Sequence, residues 1–322
     1  MGKILVTGAL GQIGSELSLQ LKKNYGEENI VLSDIRFRSQ DTNDQGFVEI
    51  SDCTNMRSLG DIVNRHSIKV IFHLASILSA AAEEKPQFAW NLNMGCLYNV
   101  LEIARENKIA VFVPSSIAAF GPDTPQNKTP QDTIQRPNTI YGISKAAGEL
   151  LCDYYYKRFG VDTRGLRYPG LISYKTLPGG GTTDYAVEIF YEAVKHKKYY
   201  CYLDADTQLD MMYMPDAIKA AIELMEADPE NLVHRNAFNI TAMSVNPEDI
   251  ASEIRKHIPD FSMEYRVDPL RQKIADSWPD SLDDSAARNE WGWKPDYDLR
   301  SMTTDMISKL SEKLQMQIPK MN

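Results

Sequence analysis

The sequence is short of basic residues: 35 Lys and Arg stand against 44 Asp and Glu, a formal net charge of −9. Binding a phosphate backbone needs a basic surface, so this deficit argues against nucleic acid as a partner. Cysteine is scarce too. Cys53, Cys96, Cys152 and Cys201 are widely scattered and form no CxxC. They read as reduced, packed thiols, not as a disulfide framework or a zinc site, and no metal is expected. No apolar run approaches the ~20 residues of a membrane span, so no membrane partner is expected. KILVTG enters a strand at once, leaving no room for a leader peptide. There is no internal repeat or low-complexity tract. The expectation is a cytoplasmic enzyme of 322 residues, 43% of them hydrophobic, enough to bury a substantial core.

What is present is alternation. Strand-like runs (KILVTG, NIVLSD, GFVEI, KVIFHLA, AVFVPSS, DTRGLRYP) are separated by amphipathic segments such as SELSLQLKKNYG, MRSLGDIVNRH and LNMGCLYNVLEIARENK. That order predicts an α/β fold with a doubly wound parallel sheet, its strands apolar on both faces because helices cover both. After about residue 170 the pattern turns irregular. Residues 1–170 read as a Rossmann domain, joined by chain returning at roughly 205–240. Residues 171–322 read mainly as a smaller C-terminal substrate lobe.

Gly8, Gly11 and Gly14 in VTGALGQIGSEL lie between the first strand and the first helix. Glycine permits the tight turn and the close approach of backbone N–H groups to a pyrophosphate, which the helix N-terminus then faces. The spacing is GxxGxxG. Asp34, ending NIVLSD, is the acidic residue expected beyond such a turn. Its carboxylate suits the adenosine ribose hydroxyls and repels a 2′-phosphate, which favours NAD over NADP, with Arg36 close by. Asp52, after the third strand, is placed to meet the adenine edge together with Cys53; the competing reading makes Asp52 the N-cap of the next helix.

Tyr141 and Lys145 stand four residues apart in TIYGISKAAGELLCDYYYKRFG, and on a helix that spacing puts them on one face. A neighbouring ammonium favours the phenolate and is expected to pull the phenol pKa down toward the range of a general base. Ser115 and Ser116 end the fifth strand, where ligands of open α/β sheets bind. Ser115 reads as ordinary strand-end capping.

GALGQIG, HLAS (73–76), NLNMG (91–95), PSSIAAFG and YGISK, in this order, resemble the extended short-chain dehydrogenase/reductase family. The resemblance implies a catalytic hydroxyl at Ser116, an acid/base at Tyr141 and a tuning cation at Lys145 that also holds the nicotinamide ribose. It implies that Gln12, Ile13, Leu74 and Ala75 join the glycines along NAD, with Tyr168, Pro169 and Leu171 flanking the nicotinamide. Asn93 is similar to the family's helix asparagine, either a relay site or a satisfied buried amide.

On the substrate side, GLRYPGLISYK, PGGGTTDYAVEIFYEA and the Trp278, Pro279, Asp283, Trp291 arrangement resemble the L-threonine 3-dehydrogenases of this superfamily. That implies oxidation of the threonine 3-hydroxyl to 2-amino-3-oxobutanoate, which a partner ligase would cleave with coenzyme A or which would lose CO2 to give aminoacetone. Ser79, Gly180, Thr182, Thr183 and Asp184 become the candidates for holding the zwitterion. Asp184 meets the ammonium or orders its own loop, and Thr/Asp before AVEIFYEA is also good capping sequence. Trp278 covers the site or packs against the main domain. The YYYK run (154–157) suggests a homodimer interface. A nucleotide-sugar epimerase or dehydratase on the same fold, and a non-catalytic NAD-sensing protein, remain the rival readings.

Overall fold

A computed structural model describes residues 2–37, 47–177, 179 and 181–317. The chain opens with β1 (Lys3–Thr7), α1 (Gln12–Tyr25), β2 (Ile30–Ser33), β3 (Phe47–Glu49), α2 (Met56–His66) and β4 (Ile68–His73). It continues through α3 (Ser79–Glu84), α4 (Pro86–Asn107), β5 (Ala110–Phe112), β6 (Ser115–Ser116), α5 (Ile140–Phe159), β7 (Thr163–Arg164), β8 (Leu166–Tyr168) and β9 (Gly170–Ile172). Then come α6 (Tyr185–His196), β10 (Lys198–Cys201), β11 (Leu209–Tyr213), α7 (Met214–Glu226), β12 (Phe238–Asn239), β13 (Met243–Val245) and α8 (Pro247–Arg255). β14 (Ser262–Tyr265), α9 (Pro269–Ala275), α10 (Ser285–Trp291) and α11 (Leu299–Gln317) complete it. No helix among the described residues is long and apolar enough to cross a membrane.

The doubly wound sheet has the order β3-β2-β1-β4-β5-β7, every pair parallel. Alternate side chains of its strands feed two cores, as the period of two requires. Leu5, Val31, Ile71 and Val111 meet Leu59, Ile62, Leu97 and Val100 of α2 and α4 on one face. Ile4, Val6, Leu32 and Phe72 meet Leu17 and Leu21 of α1 and Ile218 and Ala221 of α7 on the other. So α7, late in the sequence, packs on the N-terminal sheet. A third core joins α6, α8 and α11 around Phe190, Ile250 and Met306.

Two expected strands are each broken in two, and both breaks serve the site. AVFVPSS splits at Val113–Pro114, because proline has no N–H to continue the ladder. β6 leaves the main sheet and pairs with β8, Ser116 opposite Tyr168. DTRGLRYP splits at Gly165, where a Cβ would lie 2.5 Å from the Val113 carbonyl oxygen. A separate three-stranded sheet of order β12-β8-β6 results, and it carries Ser116 toward the C-terminal lobe.

Asp210 on β11 is fully buried, accepting hydrogen bonds from Thr241 Oγ1 at 2.5 Å and Leu282 N at 2.8 Å. Burial outweighs these bonds and pushes its carboxyl up to about 7. Between the ordinary carboxylate range and pH 7 the folded protein therefore holds a proton that the unfolded chain has released, so stability falls as pH rises through that window. Asp210→Asn is expected to melt above the parent at pH 8, with the gap closing toward pH 4. Thermal scans across pH test this, and a constant gap would refute it.

Candidate active site

The glycine turn forms as expected. Gly8 has φ +69°, and a Cβ there would lie 2.7 Å from Ala75 N; one at Gly14 would lie 2.3 Å from Gly8 O. Gly11 caps α1 with extended backbone. The missing side chains thus let the turn close on the end of β4 and the first turn of α1 close on the turn, setting the helix N-terminus at the groove. Beyond it runs a groove of about 1370 Å³ whose walls include Gly8, Gly11, Asp34, Asp52, Cys53, Leu74 and Ala75. Gln12 and Ile13 line the adjoining cleft, and Gln12 Nε2 is buried there without a protein hydrogen-bond partner.

Asp34 ends β2 with its carboxylate already engaged. Leu10 N donates to Oδ2 at 3.1 Å, and Arg36 donates through N and Nε to Oδ1 at 3.0 Å and through Nη2 to Oδ2 at 3.0 Å. Burial opposes ionisation, but the Arg36 and backbone donors win and hold this carboxyl below its usual range. A fixed anion thus stands at the position read as the ribose contact. Asp34→Ala is expected to raise KM for NAD about tenfold or more, by loss of a charge-assisted hydrogen bond, and to narrow the NAD/NADP preference; steady-state kinetics with both cofactors measure it, and an unchanged ratio would remove this role.

The capping role considered for Asp52 goes to another residue. Asn55 caps α2, accepting from Ser58 N at 3.1 Å. Asp52 instead closes a local turn, its Oδ1 accepting from Thr54 N and Thr54 Oγ1, both at 2.8 Å.

The groove and a smaller cleft of about 830 Å³ share Gln12, Leu74, Ser76 and Leu78, so they open into one another. The cleft brings together Ser79, Ser116, Tyr141, Lys145, Tyr168, Pro169, Leu171, Thr182, Thr183, Asp184 and Trp278. These are sequence-predicted positions from six separate stretches of chain. Gly180 lies outside the described residues.

Tyr141 sits in the first turn of α5, whose N-cap Thr139 accepts from Gly142 N at 3.0 Å. Gly142 is a requirement the sequence reading missed: a Cβ there would lie 2.1 Å from Ala118 O. Its absence lets the helix end approach the segment after Ser116. The Ser116 hydroxyl faces the Tyr141 phenol and favours its ionised form, while its Oγ accepts from Ala118 N at 3.2 Å. Lys145 Nζ lies 5.4 Å from the Tyr141 ring centroid and donates to Pro114 O at 2.8 Å.

The expectation that the ammonium lowers the phenol pKa is not met in this structure. Burial dominates and pushes Tyr141 up to about 12, the Ser116 hydroxyl only partly offsetting it. The same burial lowers Lys145 to about 8, against the opposing pull of Glu149. Both shifts follow from the cost of charge away from water.

Other readings are resolved by partners. Ser115 is no strand-end cap: its Oγ donates to Glu149, which pairs with Arg167 through Nε at 3.1 Å and Nη2 at 2.9 Å. Asn93 is a satisfied amide, accepting from Ile77 N at 2.9 Å and Ser76 Oγ at 3.2 Å. Tyr168 commits its hydroxyl to Ala217 O at 2.8 Å. Asp184 orders its own loop, accepting from Gly181 N at 2.7 Å. Thr182 Oγ1 is buried with no protein hydrogen-bond partner beside the cleft. Trp278 both packs in the lobe core and lines the cleft.

A tight glycine turn, a strand-end carboxylate and a phenol beside an ammonium at the carboxyl edge of a doubly wound sheet define the class: an NAD-dependent oxidoreductase. The chain belongs to the NAD dependent epimerase/dehydratase family, whose model matches residues 4–241. It is 53% identical over 316 residues to an uncharacterised epimerase/dehydratase of Staphylococcus haemolyticus, covering 98% of this chain and 99% of that one. Among solved structures it is similar to an L-threonine dehydrogenase from Clostridium difficile, at 59% identity and TM-score 0.95, covering 97% of this chain and 98% of that one. The holo form of a GalE-like L-threonine dehydrogenase from Cupriavidus necator matches at 52% identity and TM-score 0.93, covering 96% and 99%.

Proposed function

We propose that this protein oxidises the 3-hydroxyl of L-threonine with NAD, giving 2-amino-3-oxobutanoate and NADH. The observation that carries the reading is the meeting of Ser116, Tyr141 and Lys145 where the long groove opens into the small cleft. The threonine dehydrogenase names of the similar structures support the choice of substrate.

Gly8, Gly11, Gly14, Asp34, Asp52 and Cys53 would hold the adenosine and pyrophosphate, and Leu74, Ala75, Pro169 and Leu171 the nicotinamide half. Bound there, NAD supplies the hydride acceptor. The chain's own residues handle the proton. Tyr141, as phenolate, takes the hydroxyl proton of threonine, while Ser116 hydrogen-bonds the same oxygen and fixes the alcohol. Lys145, charged below about pH 8, would hold the nicotinamide ribose. Ser79, Thr182 and Thr183 receive the amino-acid end, with the 181–184 turn and Trp278 excluding water from the cleft. A ligase using coenzyme A is the natural consumer of the unstable 3-oxo product.

The test is NADH absorbance on adding L-threonine and NAD. Silence with threonine, together with turnover of a UDP-sugar, would overturn the assignment in favour of an epimerase. We also propose a homodimer through α4 and α5, which expose Trp90, Tyr98, Ile143, Leu150, Tyr154 and Phe159. Exposed apolar side chains clustered on two adjacent helices are the surface an interface would cover. Tyr155 is excluded from that face, since it is buried and donates to Glu102. Sedimentation at micromolar concentration should give twice the 36.4 kDa chain mass, and Leu150→Arg should shift it to monomer. A parent that sediments at the chain mass would end this proposal.

A further inference from the structure

α3 has six residues, too few to hold its place by its own helical bonds. Its position is set from outside, where it packs against both α4 and α5. On the α4 side, Asn93 accepts from Ile77 N and Ser76 Oγ and so fixes the chain entering α3. On the α5 side, Glu83 in the last turn of α3 accepts from Ile140 N through Oε1 at 2.7 Å. Ile140 is the first residue of α5 and Tyr141 the second. The first N–H groups of a helix have no partner within it, and a carboxylate there also meets the positive end of the helix dipole. Thr139 caps Gly142 N, which leaves Ile140 N to Glu83.

Ser79 opens the same short helix four residues before Glu83, so the two share a face. Ser79 is buried and lines the cleft with Tyr141. Glu83 is half-buried and lines neither the cleft nor the groove, so its effect on the site passes through other residues.

We propose that Glu83 is a positioning residue that fixes the separation of Ser79 from the Tyr141 phenol by tying α3 to the first turn of α5. It rests on the roles read above for Ser79 and Tyr141 in threonine oxidation. A substrate held at one end by Ser79 and reacting at the other with Tyr141 needs that separation constant, because proton and hydride transfer require the alcohol in one geometry. On the opposite side of the same turn, Gly142 lies against the Ala118 carbonyl, where a Cβ would come within 2.1 Å. The turn bearing Tyr141 is thus held between the segment after Ser116 and α3. Without Glu83, α3 keeps its Asn93 anchor on α4 and loses this tie to α5.

NADH formation from threonine, NAD affinity and Tm are measured for the parent, Glu83→Ala, Glu83→Gln, Ser79→Ala and the double variant Ser79→Ala/Glu83→Ala. Glu83→Ala is expected to lower kcat/KM for threonine roughly tenfold, the scale of one charge-assisted hydrogen bond. NAD affinity should change little, because Gly8, Asp34 and Asp52 lie outside α3. Glu83→Gln keeps an acceptor oxygen and should recover most of the loss. In the Ser79→Ala background, Glu83→Ala should cost little more, since the tie then has no contact to place. A residue that only stabilised the fold would lower the rate by the same factor in both backgrounds.

Ile140→Pro breaks the same bond from the other side, and serves where Glu83→Ala fails to fold. Proline suits the first helical position, and Thr139 before it is already extended, with φ −113° and ψ 149°. It should reproduce the loss seen in Glu83→Ala. Losses that multiply across the cycle, or an undiminished kcat/KM in both tie-breaking variants, overturn the proposal and leave the threonine reading standing. A parent that makes no NADH from threonine fails at the earlier step, and the positioning role falls with it.

Discussion

Tyr141→Phe is expected to lower kcat for threonine oxidation by roughly 10³-fold, the scale of a lost general base, while NAD affinity changes little. The phenylalanine ring keeps the packing that Tyr141 makes against the C-terminal lobe, so what is lost is one oxygen. That oxygen is the group whose ionisation the neighbouring Ser116 hydroxyl favours. The sign of the pH dependence follows from the same residue. Burial holds the phenol neutral up to about 12, so the parent gains activity as pH rises above neutrality and more of the base form is present. The gain is limited above about 8, where Lys145 loses its charge. Tyr141→Phe should abolish the rise along with the rate. Single-turnover kinetics with NAD titrated separately decide the matter: a variant that keeps most of its turnover would sink the mechanism.

Glu149→Gln should be the most damaging change outside the cleft. Glu149 and Arg167 are each under a tenth exposed and form a two-point ion pair. Glu149 also accepts from Ser115, and from Gln135 at 2.6 Å, while Arg167 donates to Asn239 at 3.0 Å and Gln131 O at 2.8 Å. Neutralising one partner leaves a buried guanidinium uncompensated, at a cost of about 3–5 kcal/mol. For a chain of this size that is a fall in Tm of roughly 10 °C. The pair also joins the helix bearing Tyr141 and Lys145 to the strands bearing Ser116 and Tyr168, so kcat should fall with stability even at temperatures where the variant stays folded. Glu149→Asp, keeping the charge, should recover part of both. Equal Tm values for parent and Glu149→Gln would show that the pair contributes nothing net.

Glu149 was within reach of the sequence, since it lies one helical turn beyond Lys145 on the same face. Its partner was not, because nothing local links it to Arg167 on a strand that a glycine interrupts. The breaks at Pro114 and Gly165 belong to the same class of miss. Each residue announces a local interruption, but neither says which strand the displaced piece will join. Asp52 and Asn55 show a subtler case, in which two capping residues stand close together and backbone geometry decides which one serves the helix.

The sequence by itself determined the alternation that makes a doubly wound sheet, the glycine turn, Asp34 at a strand end, and Tyr141 and Lys145 on one helical face. These are short-range facts, set by periodicity and by what each backbone can adopt. Only the tertiary structure decided what lies around them. It set the Tyr141 phenol deep enough for desolvation to dominate its ionisation, and it bound Ser115 to Glu149. Burial and long-range contact are properties of the packed chain, and the electrostatics of a site follow from them.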